Sequence, residues 1–561
     1  MKKSYQTLLI SLLCCLAPLA ANAQSFRVQC PTSTITHPTA ANNNSEPAYT
    51  LPTTFTPGSN GYLVPSANVN GAIKCQQVSG GDGYASMADG TQTFMFSFGP
   101  LSGLADIAAG LPGTEFPNIF NNVYPGTLKP GDPATTDGAT DYFGGGSTYA
   151  AGTPVFTWNG VVGLTPDADA IAAGTCAAPC LDGHVDPRQI MDVGVMNGNI
   201  PAPLIAFDED DELFLTLTNV GMIMRPDLFE QHTIHFHGYP NASSYYDGVP
   251  DASVAINIGG SFTYYYLAPD AGTYFWHCHI TPPEHLQMGM VGQLYVRPRQ
   301  NRIPVGNTLY SGLQAQQNDL RTACPTSNSA AAPSPDPLCS TQLPAVNTNV
   351  TQAIDSVGSV ATNPNYGQPY KYAYNDGDGS TAYDVEYPLQ IHGFDPNFHF
   401  VGMTFNPEAF VDMKDKYFLL NGRSYPDTVS AGPQATQSSD GRMHYSQPLN
   451  AIINIPAGGK ALLRIADLDV SEYQTLASLG IPMHVIGYNA KLLRDQEGHN
   501  LDYYTNSITL GGGESLDVIL DASDTTKYPS GSVFYLYTPN LDHLSNDAEN
   551  FGGLLTEVHI N

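Results

Sequence analysis

Two stretches decide how this chain reads: "HTIHFHG" at 232–238 and "GTYFWHCHITPPEHLQMGM" at 272–290. Both begin in strand-like patterns, and side chains on a strand alternate between its faces. Without a bulge, His235 and His237 therefore share one face, and His232 points to the other. His277 and His279 likewise share a face, opposite to Cys278. If the two strands lie side by side with His232 and Cys278 facing the same way, the following loop brings His285 and Met290 over them. Two imidazoles, a thiolate and a weak axial thioether are the donor set of a blue-copper electron-transfer site. Met288 is the alternative axial donor. His235, His237, His277 and His279 gather on the opposite face, where they can hold additional copper. Cys278 is bonded between His277 and His279, which gives electrons a short covalent route between the two groups. His-Cys-His taken alone is also compatible with zinc. The neighbouring Tyr264, Tyr265, Tyr266, Tyr274, Phe275 and Trp276 read as core and edge packing.

Outward from these stretches the chain is rich in short strands. The segment from Met191 through Gly221 has turn residues between β-rich pieces, and Leu213, Leu215 and Leu217 alternate on one strand face. A strand is expected at Thr91–Phe98. A second β-rich block includes "KYFLLNGRSYPDT", "NAIINIPAGGKALLRIADL" and "GSVFYLYTPN". Several short strands at fairly regular spacing predict an all-β fold of sandwich or Greek-key type. The expected division is a loop-rich extension at 24–90 and a first sandwich at 91–300 with an insertion at about 99–187. A connector at 301–385 and a second sandwich at 386–561 complete it.

The chain has 561 residues, with 21 Lys and Arg against 51 Asp and Glu, a net charge of −30, 54 Gly and 44 Pro. So acidic a surface repels phosphate backbones and anionic lipids, which argues against nucleic-acid and membrane-surface partners. Lys2 and Lys3, an apolar run from Leu8 to Leu19, and Ala21-Asn22-Ala23 predict a secretory signal peptide over 1–23. The apolar run is too short to span a bilayer. The expected location is therefore periplasmic or extracellular, where disulfides form. Proximity pairs Cys30 with Cys75, Cys176 with Cys180, and Cys324 with Cys339, among 15 connectivities open to six cysteines. Cys278 is the odd one out.

The same motifs, with "YDGVPD" at 246–251, resemble the cupredoxin domains of multicopper oxidases. The second block resembles the copper-free middle domain of that family. The resemblance implies a copper-dependent oxidoreductase. It makes His232, Cys278, His285 and Met290 the type 1 ligands, assigns His235 to a type 2 copper, and gives His237, His277 and His279 to a type 3 pair. Electrons would come from a phenol or a reduced metal ion, pass through Cys278, His277 and His279, and reduce dioxygen. The chain departs from laccases in offering two His-x-His-type pairs where a complete cluster takes four. Copper nitrite reductases are the second resemblance: they close a type 2 site with a histidine from a neighbouring subunit, and "IPMHVIG" makes His484 the candidate here. An acid stands in that family where this chain has His235. A homo-oligomer, including a two-fold pair of first domains, and a non-catalytic blue-copper carrier remain open readings.

Overall fold

The computed structural model describes residues 30–32, 34, 37, 71–120, 198–316 and 343–561, apart from positions 104, 105, 108, 109, 223, 226, 240–242, 269, 347, 405–408 and 438–442. The expected signal peptide and the pairs Cys176–Cys180 and Cys324–Cys339 lie outside the described residues. The Cys30–Cys75 disulfide is present.

The described chain is almost entirely strand, arranged as two β-sandwich units. In the first unit one sheet runs in the order β2 (Gln92–Pro100), β1 (Ile73–Ser86), β4 (Glu212–Gly221), β6 (Ser261–Leu267). The facing sheet runs β3 (Ala202–Asp208), β8 (Val291–Arg297), β7 (Gly272–His277), β5 (His235–His237). β1 lies parallel to β4, and β3 parallel to β8; the other neighbours are antiparallel. Leu213, Leu215 and Leu217 alternate as expected into a core shared with Phe96, Phe98, Phe236, Tyr264, Tyr266, Trp276 and Leu294. Burying each such side chain stabilises the fold by about 1.5–3 kcal/mol. Trp276 pairs with Gly292 across β7 and β8, and a Cβ at Gly292 would sit 2.5 Å from the indole. Only a glycine admits the tryptophan there.

Part of the expected 24–90 extension belongs to the sandwich. Residues 73–86 form β1, the strand between β2 and β4. Its sequence, "IKCQQVSGGDGYAS", shows no alternation because it is buried along almost its whole length and carries three glycines, of which Gly80 and Gly83 are closely approached by His232 and Gly198.

The second unit stacks a sheet of Tyr417–Leu420, Val385–Phe394, Lys460–Asp467, Glu514–Asp521, Met483–Tyr488 and Lys491–Leu492 against one of Ile453–Ile455, Leu555–Ile560, Val533–Tyr537, Gln474–Leu479 and Ser507–Leu510. Met95, Phe275 and Val291 of the first unit pack with Phe394, Leu419, Ala466 and Leu468 of the second in one apolar cluster. Polar contacts reinforce this junction: Thr273 Oγ1 donates to Asp517 Oδ1 (2.5 Å), and Gln293 Nε2 donates to the Arg464 carbonyl (2.5 Å). No helix among the described residues is long and apolar enough to cross a membrane.

Candidate metal centre

β5 and β7 are antiparallel neighbours, with His235 opposite His277 and His237 opposite Phe275. The expected parity holds. His232 precedes β5 in a bridge with Ile256 and turns to the opposite side from His235 and His237, into the core with Cys278. The strand after Cys278 gives way to a short helix, α1 (Pro282–Gln287), opened by Pro282 and Pro283 at its first turn. That turn swings His285 back over the cysteine.

His232, Cys278 and His285 offer ligand atoms all within 4.8 Å of one another, and all three side chains are fully buried. His285 Nδ1 lies 3.2 Å from Cys278 Sγ, and the Thr233 N–H donates to the same sulfur at 3.4 Å. The His232 and His285 rings are 5.3 Å apart, with Phe96 packed edge-on against His285 at 5.2 Å. Burial alone would raise the Cys278 thiol, but the His285 and His232 imidazoles beside it hold it well below its ordinary range. His285 shows the counterpart: burial disfavours its charge, yet the Cys278 sulfur and Glu230 raise it to about 10. Neither ring nitrogen of the buried His232 has a hydrogen-bond partner. Buried polar atoms are nearly always satisfied, so two such nitrogens beside a thiolate fit the donor set of a metal ion. Met290 and Met288 are both buried in the same core as Cys278, and the Met290 carbonyl accepts the Cys278 N–H at 3.2 Å.

His235, His237 and His277 form the second group. His279 joins it, its ring 5.1 Å from His235 and 5.7 Å from His277. His235 Nδ1 donates to the Asp247 carbonyl (2.7 Å) and His277 Nδ1 to the Cys278 carbonyl (2.8 Å). Both bonds fix the tautomer and leave Nε2 as a lone pair, the form that binds metals. His237 Nδ1 is 3.2 Å from His277 Nε2. Burial pushes His277 down to about 3 and His237 to about 4, so both are neutral at pH 7. The two groups stand on opposite sides of one strand end, joined through the His277–Cys278–His279 backbone.

The second group opens into a cleft of about 570 Å³ between the two units. Its far wall consists of Leu468, Asp469, Val470, Ser471, Glu472, Tyr473 and Gly511–Gly513. His484 is in neither group: its Nε2 lies 2.9 Å from Asp502, and its ring stacks on Tyr504 at 4.3 Å. Sequence reasoning missed the acidic far wall, which comes from loops remote in sequence. It also missed Phe96 and Gly80. The ordered glycines of β1 were the available sign for the latter.

Residues 182–301, which include both histidine stretches, match the family model for multicopper oxidases. Over this segment the chain is similar to multicopper oxidases. Among curated multicopper oxidases it is similar to "Multicopper oxidase MCE" of Talaromyces pinophilus, 34% identical over 122 residues, which is 21% of this chain and 19% of that one. "Laccase abr2" of Aspergillus fumigatus is 36% identical over 109 residues, 19% of this chain and 17% of that one. The chain thus spans about a fifth of the length of these relatives. Among solved structures, a blue copper oxidase from Nitrosomonas europaea overlaps 65% of this chain and 78% of its own, at 20% identity and a TM-score of 0.39. Multicopper oxidases bind copper, which agrees with the sulfur and nitrogen donors of the first group.

Gly80 tests the first group's packing. A Cβ there would lie 2.5 Å from His232 Cδ2, so the imidazole sits where only a glycine leaves room. Gly80→Ala is expected to fold, since it adds one methyl, but to displace His232. Copper affinity at this group should fall roughly 10- to 100-fold, read by competition against a chelator while following the visible band.

Proposed function

We propose that this protein is an exported, copper-dependent oxidoreductase that oxidises a small donor, a phenol or a reduced metal ion, and reduces dioxygen. His232, Cys278, His285 and Met290 would hold a type 1 copper. His235, His237, His277 and His279 would hold the copper of the second site. The observation that carries this reading is the gathering of those four imidazoles in one cleft, one peptide bond away from a buried thiolate. Copper bound at the two groups would supply one-electron transfer and the reduction of dioxygen. The chain's own residues do the rest. Cys278 and its flanking histidines connect the groups through bonds; Asp247 and the Cys278 carbonyl orient His235 and His277. Burial of the first group keeps bulk water off the thiolate. Glu230, 3.5 Å from His285 Nε2, stands where a cationic or hydroxyl-bearing donor would approach.

Copper analysis with electron paramagnetic resonance tests the proposal directly. The copper-loaded protein should hold more than one copper per chain, show a type 1 signal and take up dioxygen with a phenol. One copper per chain with a type 1 signal and no oxygen uptake would refute it in favour of a carrier.

A further inference from the structure

Among the described residues, the second unit lends no histidine to the cleft, but it places Glu472 there, and Glu472 is tied to a histidine behind it. His543 is buried, stacked on Phe418 at 3.8 Å, with Nδ1 2.9 Å from Gln474 Oε1 and Nε2 3.0 Å from Glu472 Oε2. The orientation of the Gln474 amide follows from its other partner. Asp469 Oδ1 already accepts the N–H groups of Ser471 (2.8 Å) and Glu472 (3.0 Å), and Asp469 Oδ2 accepts Gln474 Nε2–H at 2.7 Å. The Gln474 oxygen therefore faces His543, and His543 Nδ1 must carry a hydrogen. A neutral imidazole would then present a lone pair to the Glu472 carboxylate at 3.0 Å, which is repulsive. A proton lies between Nε2 and Oε2, either on the imidazole or on the carboxyl.

We propose that Glu472 and His543 form the proton donor of the cleft, with Gln474 as a positioning residue. The proposal rests on the oxidase reading above. Reduction of dioxygen to two waters takes up four electrons and four protons. The electrons come from the donor oxidised at the first group. A metal-bound imidazole nitrogen has no proton to give, so protons must come from elsewhere on the cleft wall. In each transfer the shared N–H or O–H bond breaks and an O–H bond forms on the oxygen substrate. Glu472 is left as a carboxylate beside neutral His543. Glu472 is 35% exposed and shares the cleft with the four histidines, so solvent can return the proton. The acidic groups around the pair are Asp469, Asp415 and the adjacent Asp542; burial and Asp469 raise the Asp415 carboxyl well above its ordinary range. Asp415 and Asp469 share the Ser471 hydroxyl.

Glu472→Gln in the copper-loaded full chain tests this. Turnover with dioxygen should fall about 10²-fold, with an altered solvent deuterium isotope effect. Copper content, the visible band and the rate of its anaerobic reduction by donor should stay at wild-type values, and Glu472→Asp should recover part of the loss. A readout free of turnover is nitrogen-15 NMR of the histidine rings in the metal-free protein, with His543→Gln used for assignment. Wild type should show a proton at Nδ1 and a second shared at Nε2; Glu472→Gln should leave Nδ1–H alone. Unimpaired turnover in Glu472→Gln, or a wild-type His543 with a bare Nε2, overturns the donor role alone. A wild type that binds copper, shows the visible band and takes up no dioxygen overturns the oxidase reading, and the donor role with it.

Discussion

Cys278→Ser should abolish the visible charge-transfer band of the copper-loaded protein and cut turnover by more than about 100-fold, beyond the range of outer-shell changes at a metal. The reason is chemical. The band requires a thiolate bound to copper, and a serine hydroxyl does not ionise under conditions where His285 and His232 hold the Cys278 thiol down. Serine is close to cysteine in size, and His285 Nδ1, now 3.2 Å from the sulfur, can satisfy the hydroxyl. The variant should therefore fold, and its circular dichroism should match wild type. Copper at the cleft histidines should persist, because His235, His237, His277 and His279 are untouched. A retained visible band would refute the assignment of Cys278. A parallel loss of all copper would mean that the two groups load as one.

The largest effect on stability is expected at Glu386. Its carboxylate bridges the two units: Oε1 accepts from Arg297 Nε (3.0 Å) and Nη2 (2.6 Å), and Oε2 accepts from Arg464 Nε (2.9 Å). Arg297 is on β8 of the first unit, whereas Glu386 and Arg464 belong to the second. Both guanidinium groups are buried, and Arg464 is 0% exposed. Glu386→Gln removes the shared negative charge and leaves two buried cations close together. Removing one partner of a buried pair costs about 3–5 kcal/mol, and a urea or thermal melt should read a loss of that order. Burial opposes ionisation of Glu386, but the charges of Arg297 and Arg464 prevail and lower its carboxyl from 4.5 to about 2. A carboxyl depressed by folding contributes stability that is fully present above the unfolded value and lost as pH falls through the folded one. Wild type should therefore lose this contribution between roughly pH 4.5 and 2, while Glu386→Gln shows a flatter profile across that window. Equal acid sensitivity of the two proteins would show that the bridge does not hold the units together.

The first metal group was legible because its logic is local. Strand parity is decided by the chain itself, so His235 and His237 had to part from His232, and Cys278 from its flanking histidines. The sequence suggested only a loop between Cys278 and Met290, where the structure has the short helix Pro282–Gln287 that returns His285. β1 was hidden by the same parity rule, since a strand buried on both faces and rich in glycine carries no alternation to read. His484 was singled out by a motif, yet within this chain it pairs with Asp502 and stacks on Tyr504.

By itself, then, the sequence determined the all-β character, the odd cysteine and the sorting of five histidines (His232, His235, His237, His277 and His279) onto two faces, because period-two geometry acts over a few residues. Only the tertiary structure decided what faces those histidines. Asp469, Glu472 and Gly511–Gly513 reach the cleft through packing of Met95, Phe275 and Val291 against Phe394, Leu419 and Leu468. Such contacts follow from the burial of apolar surface between distant segments, which no local pattern encodes. The same packing sets His543 between Gln474 and Glu472.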